Sequence, residues 1–101
     1  MPVLTFPRFD LGRTVATPGA YYLFFDMYGE EQAELKMCDL MRRHHTGDWG
    51  EMDPDDLQAN EQALIDGTRV FSAYNLPKGE RVWIITEADR SSTTVLLPEE
   101  Y

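Results

Sequence analysis

The residues best suited to chemistry are the carboxylates between positions 48 and 68. This stretch holds no Lys or Arg and seven acidic residues: Asp48, Glu51, Asp53, Asp55, Asp56, Glu61 and Asp66. Carboxylates spaced along one face can imitate nucleic-acid phosphates and meet the Lys and Arg of a basic protein surface. The alternative is a solvated face that serves only solubility. We predict a partner-binding surface from six residues: Asp48, Trp49, Glu51, Asp55, Asp56 and Glu61.

A small hydrolase is the second function that the residue types permit. His45, Asp48 and Asp89 would have to converge as acid and base groups or as metal ligands. The spacing is unfavourable for a metal, because the adjacent His44 and His45 point about 100° apart on a helix. Asp89 also suits an ordinary polar turn, in which it accepts bonds from neighbouring backbone N–H groups. We therefore expect neither a metal nor a cofactor.

Trp49 and Cys38 each have a functional and a structural interpretation. An exposed Trp49 would anchor a partner, since exposed Trp is common at binding hot spots. A Trp49 that folds back would instead close the core. Cys38 is the only cysteine, so it excludes an internal disulfide and a cysteine-based zinc cage. Its helix is rich in acids, which disfavour a thiolate, and we expect it to be a packing residue.

The composition is that of a globular protein with a strong acidic excess. The 101 residues include 18 acidic and 9 basic side chains, for a formal charge of -9. Such a surface repels nucleic acid. The length predicts a single domain over 1–101. No apolar run approaches the ~18 residues of a membrane span, and the N-terminus lacks a secretory-signal pattern. We expect a cytoplasmic protein.

Start and stop signals predict three helices, over roughly residues 18–28, 30–45 and 54–65. The first begins at Thr17, an N-cap followed by Pro18. It is apolar nearly all round, which is typical of a core helix. The second carries an apolar stripe that ends in His44, which we expect to point inward. Asp53 is the N-cap of the third.

After the third helix the hydrophobic period changes from 3.6 to 2, which is typical of strands. β-branched and aromatic residues fill three segments separated by turn residues: 69–76, 81–88 and 93–97. We predict a three-stranded antiparallel meander with the helices packed on one sheet face, in an α+β fold.

The middle strand of this meander is apolar on both faces, so each face needs a cover. An added N-terminal strand, from residues 3–6 or 9–15, is one candidate for the second face. A symmetric homodimer is the other, and it is the one we favour, because the aromatic first helix adds a further apolar surface.

Two motifs in the C-terminal half carry a family resemblance. They are His45-Thr46-Gly47-Asp48-Trp49-Gly50 and the run from Trp83 to Tyr101, WIITEADRSSTTVLLPEEY. With these motifs, residues 45–101 and the segment 15–20 resemble a family of small uncharacterised proteins from bacterial plasmids and other mobile elements. That family has no established activity, so the resemblance implies a genetic setting and not a mechanism.

The resemblance and the acidic stretch together lead to one functional hypothesis. Small acidic proteins of mobile elements are often inhibitors of host defence, such as anti-restriction or anti-CRISPR proteins. We therefore expect a cytoplasmic protein-binding module that inhibits a nucleic-acid-handling host complex through its acidic surface. The partner would present a basic protein surface, and neither nucleic acid nor a membrane would be bound directly.

Overall fold

The computed structural model describes residues 6–101, so positions 3–5 of the first candidate N-terminal strand lie outside the described residues. The fold is α+β, as predicted, with three helices, four strands and a final 3-10 turn. In chain order these are β1 Arg13–Ala16, α1 Pro18–Tyr28, α2 Glu30–His45, α3 Pro54–Asp66, β2 Val70–Asn75, β3 Arg81–Thr86, β4 Ser92–Leu96 and the turn Pro98–Glu100.

The three helices begin and end within one residue of their predicted bounds. At the start of α1, the Thr17 side chain accepts a bond from the backbone N–H of Ala20 at 3.2 Å. Pro54 occupies the first turn of α3, and Gly67 ends that helix in the left-handed conformation. These signals act over three or four residues, which is why the sequence alone reveals them.

The predicted meander forms, but it is part of a larger mixed sheet. Strands β2, β3 and β4 pair antiparallel in sequence order. An N-terminal strand is present and overlaps the second candidate segment, 9–15: β1 pairs parallel with β4, with Val15 beside Thr94. The sheet order is therefore β1-β4-β3-β2. A purely antiparallel three-stranded sheet was thus an incomplete prediction, because the β1–β4 pairing joins residues about eighty positions apart.

Helices α1 and α2 cover one face of the sheet, which we call the helix face. Val82 and Ile84 of β3 are completely buried there against Phe24 of α1 and Met37 of α2. The expectation that α1 is a core helix is only half correct. Its outer side presents aromatic rings to solvent, with Tyr21 42%, Tyr22 65% and Phe25 39% exposed.

Helix α3 reaches the helix face only at its margin, where Ala63 packs with Val70, so the prediction that three helices pack on one sheet face is correct only in part. It lies along the outer edge of β2, where the Asn60 side chain bonds to the backbone of Phe71. On the opposite face of the sheet Ile85 is buried, whereas Trp83 is only half-buried. We call this second face the groove face.

Candidate functional site

The acidic segment begins as an extra piece of chain paired to the edge of β2. Ala73 donates its backbone N–H to the carbonyl of Trp49 at 3.1 Å, and Glu51 donates to the carbonyl of Ala73 at 2.8 Å. Gly50, between them, has φ 82. A Cβ at this position would collide with the Ala73 carbonyl oxygen. Only glycine allows this close approach of the two backbones.

Side chains of the same segment cover the rest of the β2 edge. Asn60 accepts from the backbone N–H of Phe71 at 3.0 Å and donates to its carbonyl at 2.5 Å. A Glu51 carboxylate oxygen accepts from the backbone N–H of Asn75 at 3.0 Å. The outward-facing donors of β2 at 71, 73 and 75 are thus satisfied, as a protected sheet edge requires.

Two of the predicted binding carboxylates are paired with arginines. Asp48 accepts from Arg43 at 2.6 and 3.2 Å, and this bonding lowers the pKa of Asp48. Glu61 accepts two bonds from Arg8, at 2.8 and 2.9 Å. Bonds from Arg8 and Trp49 lower the pKa of Glu61. Bidentate pairs of this kind neutralise the charge that a basic partner would need.

Trp49 is in the core, so the structural interpretation is the one that the fold adopts. Its ring is 4% exposed and packs with Ala63 and Val70. The indole N–H donates to Glu61 at 2.9 Å. A ring buried in this way has no surface to offer a partner, which corrects its inclusion in the predicted binding surface.

The remaining acids form a short exposed row at the start of α3. Asp53, Asp55 and Asp56 are all exposed. Asp53 precedes the helix, and the other two lie in its first turn, where negative charge suits the helix dipole. Within residues 6–101, no Lys or Arg pairs with any of the three. We call these three residues the acidic row.

A groove on the groove face of the sheet adjoins the acidic row. It consists of two cavities of about 400 and about 500 Å³. The two cavities share four of their lining residues: Met52, Asp56, Phe71 and Trp83. Asp53 lines one end, and Tyr101 lines the other. The acidic row therefore borders an opening on the groove face of the sheet.

Aromatic rings form the floor of this groove. Phe71 and Trp83 meet edge to face with ring centres 4.8 Å apart, and Trp83 and Tyr101 meet similarly at 5.7 Å. Phe71 and Trp83 are half-buried, whereas Tyr101 is 65% exposed. The sequence analysis did not identify the groove. Its only indication was the apolar second face of β3, which we expected another element to cover.

The three candidates for a hydrolase have separate environments. Asp48 is paired with Arg43. Asp89 is fully exposed in its turn and accepts from the backbone N–H of Ser91 at 3.0 Å. His45 lines a small cavity beside Leu11, and neither of the two acids lines it. Among residues 6–101 no three His, Cys, Asp or Glu side chains are arranged to hold a metal ion.

The other histidine belongs to a buried chain of hydrogen bonds. His44 is 0% exposed, as predicted for an inward-pointing residue. Its Nδ1 lies 2.5 Å from Ser72 Oγ, and its Nε2 lies 2.9 Å from Thr86 Oγ1. Thr86 bonds to Thr93 at 2.7 Å, and Thr93 donates to the Leu11 carbonyl at 2.7 Å.

The carbonyl at the end of this chain determines the direction of every proton in it. Because Thr93 donates to the Leu11 carbonyl, it must accept from Thr86, and Thr86 must then accept from His44 Nε2–H. The neutral ring therefore accepts at Nδ1 from Ser72. Burial lowers the pKa of His44 to about 3, so the ring is neutral. Although Ser72 and His44 resemble a nucleophile and its base, both are fully buried and no substrate can reach them.

The chain is not significantly similar to any of the known proteins with which it was compared. No family model matches the chain. No curated protein and no solved structure is significantly similar to it. Among the described residues, no helix has the length and apolar character needed to cross a membrane.

Proposed function

We propose that this protein is a non-enzymatic binding module that contacts a basic protein surface through the acidic row and the adjoining groove. Compared with the surface predicted from sequence, the proposed contact loses four residues: Trp49 is buried, and the carboxylates of Asp48, Glu51 and Glu61 accept hydrogen bonds within the chain. It keeps Asp55 and Asp56 and gains the aromatic floor around Trp83.

The observation that carries the proposal is the position of unpaired carboxylates beside exposed aromatic surface. The helix dipole accounts for acids in the first turn of α3, and solubility accounts for their exposure. Neither accounts for the open aromatic groove that Asp53 and Asp56 border. Aromatic residues in a concave site with charged groups at the rim are typical of protein-binding surfaces.

The chemistry of the groove indicates the kind of partner segment that it fits. Lys or Arg side chains would meet Asp53, Asp55 and Asp56, and an apolar or aromatic side chain would lie on Trp83 and Phe71. Arg81 lines the same groove, so a partner with an acid near its cations would be favoured over a purely basic one.

The biological setting extends the proposal. A carboxylate row that meets Lys and Arg would compete with nucleic acid for a basic protein surface. Together with the resemblance to mobile-element proteins, this favours an inhibitor of a nucleic-acid-handling host complex, of the anti-restriction or anti-CRISPR type, acting in the cytoplasm. No observation in the described residues favours the hydrolase centred on His45, Asp48 and Asp89.

A charge-reversal experiment tests the acidic row. The protein is immobilised and used to capture partners from a bacterial lysate, and affinity for the captured protein is measured with purified components. Asp55→Lys with Asp56→Lys should weaken binding by about tenfold or more, and salt should weaken wild-type binding. The matched control is Glu30→Lys with Glu31→Lys, an exposed acidic pair in the first turn of α2. This control should bind like the wild type.

A second pair of variants tests the groove. Tyr101→Ala removes a groove residue, and Tyr22→Ala removes an equally exposed ring on α1, since both are 65% exposed. Only the Tyr101 variant should weaken binding. Equal effects of the two charge reversals would show that only net charge matters, and normal binding by the Asp55/Asp56 double variant would refute the proposal.

A further inference from the structure

The two outer edges of the sheet differ in how they are covered. The β2 edge is paired with residues 49–51 and Asn60. At the other edge, Arg13 donates its backbone N–H to Ser91 and Thr17 donates to Val95. Residues 13, 15 and 17 therefore direct their backbone groups toward β4. Because backbone groups alternate in direction along a strand, the N–H and C=O groups of Thr14 and Ala16 point away from β4.

The outward groups of β1 form an open edge. No residue in the described range 6–101 forms a hydrogen bond with the backbone of Thr14 or Ala16 on this side. All four residues of β1 are exposed. Natural sheets usually protect such an edge with Pro, Lys, a bulge or a covering segment. Strand β1 is four residues long, with the sequence RTVA; Arg13 is its one charged residue, and it contains neither Pro nor Lys.

We propose that two copies of this chain pair through β1, antiparallel, about a two-fold axis that passes beside Val15. In this arrangement Thr14 of each copy lies opposite Ala16 of the other, and each such pair exchanges two backbone hydrogen bonds. The two Val15 side chains face each other as the central pair. The result is one continuous eight-stranded sheet with the β2 edges, already covered, at its two ends.

Charge complementarity favours a second copy as the occupant of this edge. The register places Arg13 of one copy opposite Thr17 of the other. The Thr17 hydroxyl donates to the Glu100 carboxylate at 2.5 Å, and the same carboxylate accepts from the Gly19 backbone at 3.2 Å. Arg13 has no acidic partner within the described chain. The pairing thus brings an unpaired cation to a fixed anion at each end of the interface.

The same register would also bury apolar side chains near β1. Val15 is 38% exposed, and its counterpart would cover it. On the helix face, a cavity of about 240 Å³ runs beside β1 and is lined partly by Met37 and Met41. The added strand would extend the sheet next to this cavity and bury apolar surface that one chain leaves in contact with water.

Light scattering over a concentration series reaching millimolar protein tests the pairing directly. The wild type should approach twice the 11.7 kDa mass of one chain. Thr14→Pro removes an outward N–H without touching the ladder to β4 and should stay monomeric. Thr14→Val, the control, keeps that N–H and should still dimerise. Circular dichroism and thermal unfolding verify that both variants fold. A wild type that stays monomeric refutes the proposal.

Disulfide trapping tests the register. With Cys38→Ser as background, Val15→Cys places two thiols directly opposite each other, with Cβ atoms about 4.5 Å apart. Thr14→Cys places its two thiols on a diagonal, about 7–8 Å apart. Mild oxidation should crosslink the Val15 variant rapidly and the Thr14 variant poorly. Equal crosslinking of the two, or none in the Val15 variant, would contradict the proposed pairing.

Discussion

His44 shows how a single residue can acquire a defined state from its surroundings. The buried chain that ends at the Leu11 carbonyl fixes one tautomer, and burial keeps the ring neutral. Thr86 and Thr93 each accept one bond and donate one, and Ser72 donates to the ring, so every side chain in this chain of bonds has a partner. Networks of this kind specify one arrangement of a core, because a rotated side chain would leave a buried donor unpaired.

The buried histidine predicts a loss of stability in weak acid. The pKa of His44 is lowered from 6.5 to about 3 in the folded protein. Between these values the unfolded chain binds a proton that the folded chain excludes, so stability is full above pH 6.5 and falls as the pH drops toward 3. The loss from this group should be about 2 kcal/mol by pH 5. Urea unfolding at pH 7 and pH 5 measures it.

Two variants isolate the contribution of His44. His44→Gln cannot titrate and should lose most of the difference in unfolding free energy between pH 7 and pH 5, although its absolute stability is lower. His45→Gln removes a partly exposed neighbour and should retain most of that difference. A His44→Gln variant with the full wild-type pH dependence would show that another group is responsible.

Arg90 is a second residue whose structural contribution depends on distant partners. It has φ 61, the only positive value at a non-glycine residue within the described chain. Its guanidinium donates to the carbonyls of Thr68 at 2.6 Å and Ala63 at 3.2 Å. It therefore ties the turn between β3 and β4 to two backbone carbonyls at and just after the end of α3.

At the scale of elements, the acidic segment has a structural function as well as a proposed binding function. The β2 edge is closed by the backbone of residues 49–51 and by the side chains of Glu51 and Asn60. Several residues of this segment therefore stabilise the fold in addition to giving the surface its negative charge. The part left for a partner is the acidic row, which contributes no hydrogen bonds to the sheet edge.

The edge cover predicts a specific sensitivity at Asn60. Asn60→Asp removes the side-chain donor to the Phe71 carbonyl and places a negative charge beside it. The free energy of unfolding should fall by about 2 kcal/mol. Gln58→Glu makes the same chemical change at an exposed position of α3, and it should cost less than about 0.5 kcal/mol. Urea denaturation of both variants provides the comparison.

Aggregation provides a second measurement for the same pair of variants. A weakened cover exposes the β2 edge to other chains. The Asn60 variant should therefore aggregate faster than the Gln58 variant at equal concentration, as followed by light scattering. If the two variants are equally stable and equally soluble, Asn60 does not protect the edge.

At the scale of the whole molecule, several basic side chains are engaged internally. Arg8 and Arg43 pair with carboxylates, and Arg90 binds backbone carbonyls. The exposed surface is thus poorer in accessible positive charge than the count of 9 basic residues suggests. The field around the molecule is dominated by its acids.

This charge distribution predicts that the protein does not bind nucleic acid. Binding to a phosphate backbone needs Lys or Arg that can replace counterions. In mobility-shift experiments at low ionic strength, neither duplex DNA nor single-stranded RNA should be retarded. Asp55→Lys with Asp56→Lys changes the formal charge by four units and should still not bind. Retardation by the wild-type protein would contradict both this prediction and the proposed acidic contact.

The sequence by itself determined the features that depend on near neighbours. Thr17 with Pro18, Pro54, and Gly67 define helix ends within a few residues, because caps act on the adjacent turn. Asp53 occupies the predicted N-cap position but forms no side-chain capping bond. The meander was also predictable, since its strands are consecutive and joined by short turns. The acidic stretch and the inward position of His44 followed from composition and helical period.

The tertiary structure alone decided which of these residues are available for binding. A formal charge does not reveal that Arg8 lies against Glu61, 53 positions away. Nor does a strand pattern reveal that β1 pairs with β4, or that Asn60 of α3 bonds to the β2 edge. Pairing, burial and the open groove around Trp83 arise from contacts between residues distant in the chain. Such contacts depend on how the whole chain packs, and local preferences do not encode them.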